Sequence, residues 1–251
     1  MGKYGRLLFL GVVMAATRLV FSGQDASVSV GVYFRPTTDR SKAILGYEGV
    51  KLALEENGYE DQVRYVNSLD EATSGKLKVL IIPCVYGFHE PEDRVRAWLR
   101  VFVEKGGGLL LMNEAIGWRR VWAKEPPFPE IGRGTGQGDS YLNSFAGGVG
   151  PMTIRYVSLK VAEPDHPVAA GIRGEIKVLF DMPDIITGEK GQVVFTRDDN
   201  RSAAVVAGSF GRGRVVLVAP NLGLGPRNVE EVVQGEALKL LLNCVQWARG
   251  N

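Results

Sequence analysis

The feature that most constrains the fold of this chain is a pair of apolar strands joined by one amphipathic helix. Residues 78–83 (KVLIIP) form a continuous apolar run, which is typical of a parallel strand covered on both faces. Residues 91–103 then place a stripe of apolar side chains on one face of a helix. These side chains are Val95, Trp98, Leu99, Phe102 and Val103. The glycines at 106–108 end the helix and lead into a second apolar strand at 109–112, so the order predicts a parallel sheet with right-handed crossovers.

Strand and helix patterns also flank this unit. Before it, a strand at 27–34 is followed by a helix at 44–57, which Gly58 ends, and by a short strand at 62–66. After it, residues 114–150 have no regular pattern, and a loop of this length inside a compact domain is usually a functional lid or a mobile insertion. Further strands are predicted near 154–162, 176–180, 192–197, 203–208 and 214–219.

The end of the chain predicts an antiparallel hairpin and one last helix. The turn at 211–213 (GRG) joins the last two predicted strands. Asn228 and Glu231 have the spacing of a capping box, so a helix is predicted at 229–248. Its predicted buried face consists of Val233, Ala237, Leu241, Cys244 and Val245. The whole pattern predicts a three-layer α-β-α fold, with a mostly parallel, flavodoxin-like sheet, an antiparallel C-terminal hairpin and no linker that would separate two domains.

The first residues have the pattern of an export signal. Lys3 and Arg6 precede an apolar stretch at 7–16, and small residues follow it. This stretch is about half the length that spans a bilayer, so no stable membrane anchor is predicted. We therefore expect a signal peptide at 1–23, export to the periplasm or the medium, and one domain at 27–250. The alternative is a buried N-terminal helix or strand.

Charge and cysteine content limit the classes of partner. The formal net charge is +2, and removal of Lys3, Arg6 and Arg18 with the predicted signal lowers it by three, to −1. A domain with this balance has no overall electrostatic reason to bind nucleic acid or anionic lipid, so no nucleic-acid partner is predicted. Cys84 and Cys244 could pair in an oxidising compartment. Because both fall in buried-looking elements, two free core thiols are predicted instead.

Three stretches resemble the class I glutamine amidotransferase-like superfamily. The first is VLIIPCVYG, a strand that ends in proline where the family forms part of its oxyanion site. The second is FVEKGGGLLLMNEAIGW, which is similar to the segment before the nucleophile in the biotin-protein ligase N-terminal-like and ThuA-like branches. The third is HPVAAGI, followed by GSFGRGRVVLVAPN and a helix that ends NCVQWA. Their order runs through residues 28–249, and the resemblance implies the glutamine amidotransferase-like version of the fold predicted above.

The resemblance also locates the catalytic triad of the family, and all three positions differ. In catalytic members a cysteine lies on a tight turn after a strand, the nucleophile elbow, with a histidine as its base and a carboxylate that orients the histidine. Asn113 occupies the nucleophile position, and an amide has no ionisable nucleophile. Asn221 occupies the histidine position and Gly223 the glutamate position. The elbow histidine common in the ThuA-like branch is also missing, so the chain is predicted not to be a glutamine amidotransferase.

Residues at the predicted strand ends could bind a ligand instead. Asn113 and Glu114 follow one parallel strand, Asn221 follows a neighbouring strand, and open α/β sheets place ligands at such ends. Two amides and a carboxylate can hydrogen-bond hydroxyl groups, so the candidate ligand is a small polar molecule such as a saccharide. The strand that resembles the oxyanion segment adds Cys84 and Tyr86 to the candidate ligand-binding residues. The alternative is that these groups only hydrogen-bond nearby backbone.

The loop after the elbow adds Trp118 and Arg119 as candidates. They begin a cluster that continues with Arg120 and Trp122, and indoles stack on sugar faces while guanidinium groups bind carboxylates. The alternative is a helix that buries its tryptophans and leaves its arginines in water. Cys84 could also be a displaced nucleophile activated by a neighbouring base, although a cysteine at a buried strand end is more often inert packing.

Three classes of function remain open. The first is a non-glutaminase protein that binds a small polar ligand at the elbow. The second is a ThuA-like enzyme of carbohydrate metabolism with Glu114 as its general acid or base, which requires a crevice poor in water. The third is an interaction module whose surface carries the function. With two histidines, His89 and His166, far apart in the sequence, no metal site is predicted, and no motif predicts a cofactor.

Overall fold

The structure is a computed structural model that describes most of the chain after residue 28. The described residues are 29–72, 77–117, 121–122, 125–134, 155–180, 184–199, 201–225 and 229–250. The predicted signal peptide at 1–23 and the candidate residues Trp118 and Arg119 lie outside them, as does Asn228 of the predicted capping box. Within the described ranges, no helix combines the length and the apolar character needed to cross a membrane.

The parallel core of the sheet contains five strands. Their spatial order is β3 (Val63–Val66), β1 (Val30–Tyr33), β4 (Val79–Ile82), β6 (Gly108–Met112) and β13 (Gly213–Val218). Every residue of β4 and β6 is buried, which is why both stretches are apolar throughout. The chain runs from β1 outward to β3 and then returns past β1 to β4, so the strand order reverses between β1 and β4. The prediction of a parallel central sheet is confirmed.

An antiparallel part continues the sheet beyond β13. It consists of β12 (Ala203–Phe210), β11 (Gly191–Arg197), β8 (Arg155–Val161) and β9 (Ile176–Phe180), in that order. The predicted hairpin is confirmed as β12–β13, and Gly211 takes the positive φ of 58° that its turn requires. Two short strands that were not predicted, β7 (Gly132–Gly134) and β10 (Ile185–Thr187), pair with each other, and β10 also pairs with β12. The antiparallel part is therefore larger than the one predicted hairpin.

The described part of the chain contains four α-helices. They are α1 (Tyr47–Leu54), α2 (Leu69–Ala72), α3 (Glu92–Glu104) and α4 (Gly235–Arg249). The predicted apolar face of α3 is confirmed, because four of its members are buried and Trp98 packs against the core. The buried members are Val95, Leu99, Phe102 and Val103.

Two helices begin later than predicted, because the residues before them pair with other parts of the chain. Residues 44–45 form β2 (Ile44–Leu45), which pairs with β5 (Cys84–Val85), and Gly46 turns the chain with a φ of 78° before α1 starts. Residues 229–230 form β15 (Val229–Glu230), which pairs with β14 (Leu224–Gly225). The last helix therefore starts at residue 235 and not at 229, and the predicted capping box is wrong. In both places tertiary pairing outweighs local helix propensity.

The face of α4 that packs against the sheet contains one of the two cysteines. Leu241, Cys244 and Val245 are buried as predicted, whereas Ala237 is only partly buried. Cys84 is buried in β5, and both cysteines are free, which confirms the prediction of two free core thiols. Burial raises the pKa of the Cys244 thiol well above its usual range, so this thiol stays protonated at neutral pH.

Candidate functional site

Asn113 lies on a sharp turn directly after β6. Its backbone has a φ of 49°, in the left-handed region that asparagine tolerates better than most residues. A single turn of 3₁₀ helix, Asn113–Ile116, follows, and Gly117 ends it. The strand, the positive φ and the helical turn together have the form of a nucleophile elbow, and the residue at its tip carries an amide.

The Asn113 amide joins the ends of three strands. Its Oδ1 accepts from Cys84 Sγ (3.2 Å) and from the backbone N–H of Glu114 (2.8 Å). Its Nδ2 donates to the Ala219 carbonyl oxygen (3.3 Å). Cys84 follows β4 and Ala219 follows β13, so these bonds hold the carboxyl ends of β4, β6 and β13 together. In this arrangement the Cys84 thiol is a hydrogen-bond donor to a neutral amide, which favours the packing interpretation of Cys84.

Glu114 and Asn221 are buried at the same edge of the sheet. They are 7% and 5% exposed, and Asn113 is 5% exposed. Of the five polar or charged side chains that are buried in the described residues, these three lie at the carboxyl ends of β6 and β13. The backbone N–H of Asn221 donates to the Leu179 carbonyl oxygen at 2.9 Å, which positions the residue. Because burial of polar groups is unfavourable without hydrogen bonds, their concentration here marks a polar site inside the core.

Gly223, which the sequence resemblance aligns with a glutamate, has no space for a side chain. Gly223 has a φ of 86°, and a Cβ atom there would lie 2.3 Å from the Gly46 carbonyl oxygen and 3.0 Å from the Val50 backbone N. Both are backbone atoms at the start of α1, so they cannot move aside as a flexible side chain would. A carboxylate could be placed at this position only if the contact between residue 223 and α1 were rebuilt.

Trp122, from the cluster after the elbow, is a core residue. Its side chain is fully buried, its indole N–H donates to the Ala115 carbonyl oxygen (2.9 Å), and its ring centroid lies 5.1 Å from that of Phe88. For this tryptophan the alternative of a buried packing residue is correct. The indole supports the 3₁₀ turn that follows Asn113.

Tyr86 and Asn221 line two separate clefts. Tyr86 lines a cleft of about 600 Å³ that is open to solvent, next to the loop after β1. Asn221 lines a smaller cleft of about 140 Å³ beside β9. Cys84, Asn113 and Glu114 line neither of these two clefts. What these three residues share, in the described part of the chain, is burial at the strand ends.

The two histidines have separate surroundings. His166 Nδ1 accepts from the Val168 backbone N–H (3.1 Å) at the start of a 3₁₀ turn, and its ring centroid lies 5.2 Å from that of Trp247. These contacts give His166 a structural role in positioning the turn. Burial lowers the pKa of His166 and of His89, and for His89 the nearby cations Arg35 and Lys42 act in the same direction. Across the ranges that the structure describes, no group of three or more His, Cys, Asp or Glu side chains could hold a metal ion.

Glu230 joins two distant parts of the chain, and no sequence signal had singled it out. Its carboxylate accepts from the backbone N–H groups of Gly46 (2.7 Å), Glu48 (3.0 Å) and Gly49 (3.1 Å) at the start of α1. A helix leaves these donors without intrahelical partners, and its amino end favours negative charge. Burial raises the pKa of Glu230, while the three hydrogen bonds act in the opposite direction. We call this contact the Glu230–α1 contact.

Several solved structures superpose on this fold as a whole. The sequence itself matches no protein-family model and no curated protein. A ThuA-like protein from Parabacteroides merdae superposes with a TM-score of 0.60 at 15% identity, over 88% of this chain and 89% of its own. A ThuA-like protein from Bacteroides uniformis superposes with a TM-score of 0.56 at 12% identity, over 90% of this chain and 93% of its own.

A larger protein contains a similar unit. The β-galactosidase from Bacillus circulans sp. alkalophilus superposes with a TM-score of 0.57 at 14% identity, over 90% of this chain but only 31% of the β-galactosidase. At such identities the likeness shows the fold. The chain is therefore a mixed α/β protein with the class I glutamine amidotransferase-like fold found in ThuA-like proteins.

Proposed function

We propose that this chain is a non-glutaminase member of the class I glutamine amidotransferase-like superfamily. It binds a small polar ligand, such as a saccharide, at the carboxyl ends of β6 and β13. The observation that carries the proposal is Asn113, whose amide occupies the elbow position at a φ of 49° among buried polar groups. Residues held in sparsely populated backbone conformations concentrate at functional sites, so the elbow is the first place to test. The similar unit within a β-galactosidase adds support for a saccharide ligand.

Removal of the Asn113 amide is expected to weaken ligand binding about tenfold, because a hydrogen bond contributes about 0.5–1.5 kcal/mol net. Asn113→Gly is the suitable variant, since glycine adopts a φ of 49° without strain. Calorimetric titration of both proteins against a panel of neutral sugars and sugar acids measures the change. Arg201→Gly is the matched control, because Arg201 (φ 59°) is the other non-glycine residue with positive φ in the described ranges. Absence of heat with every sugar, or equal affinity of wild type and Asn113→Gly, would contradict the proposal.

A second candidate is a ThuA-like enzyme of carbohydrate metabolism that uses Glu114. The observation in its favour is a carboxyl group only 7% exposed, one residue after the elbow. The same titration mixtures distinguish the two functions. New products in the wild-type mixtures, lost in Glu114→Gln while sugar affinity is retained, would establish the enzyme instead of the binding protein.

Exposed apolar side chains give less support to an interaction module. The large ones in the described residues are Leu52, Val101, Tyr156, Ile186 and Val229. They lie on five different elements, α1, α3, β8, β10 and β15. Single exposed apolar residues are normal on soluble proteins, whereas a docking surface needs a contiguous patch.

The proposal includes export of a single three-layer domain at 27–250. Helices α3 and α4 both contact β6 and β13, which supports a layer of helices on each face of the sheet. The segment at 1–23 is proposed to direct export, so protein recovered from the periplasm or the medium is expected to lack it. Intact-mass measurement of the recovered protein tests this, and a cytoplasmic protein that retains residues 1–23 would contradict it.

A further inference from the structure

The cleft that Tyr86 lines lies where the strand order of the parallel core reverses. The loop after β1 supplies Arg40, Ser41 and Lys42, and the segment after β5 supplies Tyr86 and Phe88. Chains that leave neighbouring strands in opposite directions open a crevice at such a switch point, and open α/β sheets bind their ligands there. The volume of about 600 Å³ falls within the roughly 300–1,000 Å³ of small-molecule sites. We call it the switch-point cleft.

Two cations, Arg40 and Lys42, line the switch-point cleft. Neither the Arg40 nor the Lys42 side chain has an ion pair or hydrogen bond with any residue in the described ranges. By contrast Glu90, which also lines the cleft, pairs with the Arg35 guanidinium (3.0 Å) and accepts from the Tyr33 hydroxyl (3.5 Å). The negative charge of Glu90 is therefore already compensated from outside the cleft.

The other carboxylates near the cleft, those of Asp39 and Glu92, also have interaction partners. Asp39 accepts from the backbone N–H (3.0 Å) and the hydroxyl (2.7 Å) of Ser41, and these bonds lower the pKa of Asp39. Glu92, in the first turn of α3, has an interaction partner of its own. The cations that the cleft presents to a bound molecule are thus Arg40 and Lys42, and the charge of Lys42 also acts on Asp39.

Another part of the cleft lining is aromatic and held by core packing. Phe88 is buried, and its ring packs between those of Tyr33 (5.8 Å) and Trp122 (5.1 Å). Val121 is buried beside it, and Tyr86 is half-buried. An apolar wall held by core packing needs no reorganisation when a ligand covers it, which favours binding.

We propose that the switch-point cleft binds a small organic anion. Its carboxylate or phosphate group would pair with Arg40 and Lys42, and its apolar part would lie against Tyr86 and Phe88. A guanidinium group binds either anion through two parallel hydrogen bonds, and an ammonium group adds a point charge. The site is separate from the elbow amide and does not depend on the ligand proposed there.

Titration of the protein with four probes tests the proposal. The probes are phenyl phosphate, benzoate, inorganic phosphate and phenol. Phenyl phosphate or benzoate is expected to bind more tightly than phenol, which lacks the charge, and than inorganic phosphate, which lacks the apolar part. Arg40→Ala/Lys42→Ala is expected to weaken that binding at least about tenfold, because hydrogen bonds between charged groups are the strong ones. Binding should also weaken as salt rises, since the cations are near the surface.

The matched control is Arg173→Ala/Lys190→Ala, which removes the same charge from two exposed cations that do not line the cleft. It is expected to leave affinity unchanged. The proposal is overturned if no anion binds, if the two double variants lose affinity equally, or if inorganic phosphate binds as tightly as phenyl phosphate.

Discussion

Replacement of Gly223 by glutamate is expected to lower the free energy of unfolding by about 4 kcal/mol or more, the range of the most damaging single changes. The new Cβ atom would lie 2.3 Å from the Gly46 carbonyl oxygen, which is backbone that cannot rotate away. The φ of 86° adds a penalty of about 1–2 kcal/mol for any residue with a side chain. Urea denaturation followed by circular dichroism measures the loss, and little soluble folded protein is expected at 37 °C.

Gly171→Glu separates the steric overlap from the backbone strain. Gly171 also has a positive φ, 67°, but an added Cβ there meets no atom within 4 Å. This control is therefore expected to lose only the roughly 1–2 kcal/mol of left-handed strain. Equal losses in the two variants would show that the contact between residue 223 and α1 is not what excludes a side chain.

The same steric limit bears on catalysis. We expect the wild type to hydrolyse glutamine no faster than the residual rate without a triad. We expect the same of the Asn113→Cys/Asn221→His variant, which places a thiol and an imidazole at the two positions that the sequence resemblance aligns with the nucleophile and its base. That residual is on the order of 10³–10⁴ over water when oxyanion donors and binding remain. A wild-type glutaminase rate well above it, abolished by Cys84→Ser, would show that Cys84 is a nucleophile and would contradict this prediction.

Loss of the Glu230–α1 contact is expected to have the second largest effect. Glu230→Ala removes the acceptor of three backbone N–H groups. We expect the free energy of unfolding to fall by about 3 kcal/mol. Hydrogen bonds to charged groups contribute about 1.5–3 kcal/mol each, and water replaces part of this contribution in the variant. Glu230→Gln keeps one carbonyl acceptor and is expected to lose about half as much. Denaturant unfolding gives the totals, and hydrogen exchange at Glu48 and Gly49 locates the effect.

The neighbouring carboxylate provides the control for this prediction. Glu231 is exposed, so Glu231→Ala is expected to change stability by no more than about 0.5 kcal/mol. The Glu230 carboxylate would not be what holds residues 229–230 against α1 in either of two cases. One is that Glu230→Ala lowers the free energy of unfolding no more than Glu231→Ala does. The other is that hydrogen exchange at Glu48 and Gly49 stays slow in Glu230→Ala.

The parts of the fold that sequence analysis predicted are those that depend on local periodicity. The helix α3 and the strands β4 and β6 each carry their own signal, a stripe with helical spacing or an unbroken apolar run. The hairpin at Gly211 was predictable because its turn is also local. The start of α4 was not, since residues 229–230 look helical in isolation but pair with β14 in the folded chain.

At the candidate site the sequence by itself determined the chemistry, and the tertiary structure decided the geometry. That residues 113, 221 and 223 are two asparagines and a glycine, with no thiol, imidazole or carboxylate, follows from residue identity alone. That the Asn113 amide joins three strand ends, and that residue 223 lies too close to α1 for any side chain, follows only from the packed chain. The Glu230–α1 contact and the switch-point cleft also follow only from the packed chain. Each is built from loops that local patterns do not describe, and their residues meet only because the strand order brings distant segments to one edge of the sheet.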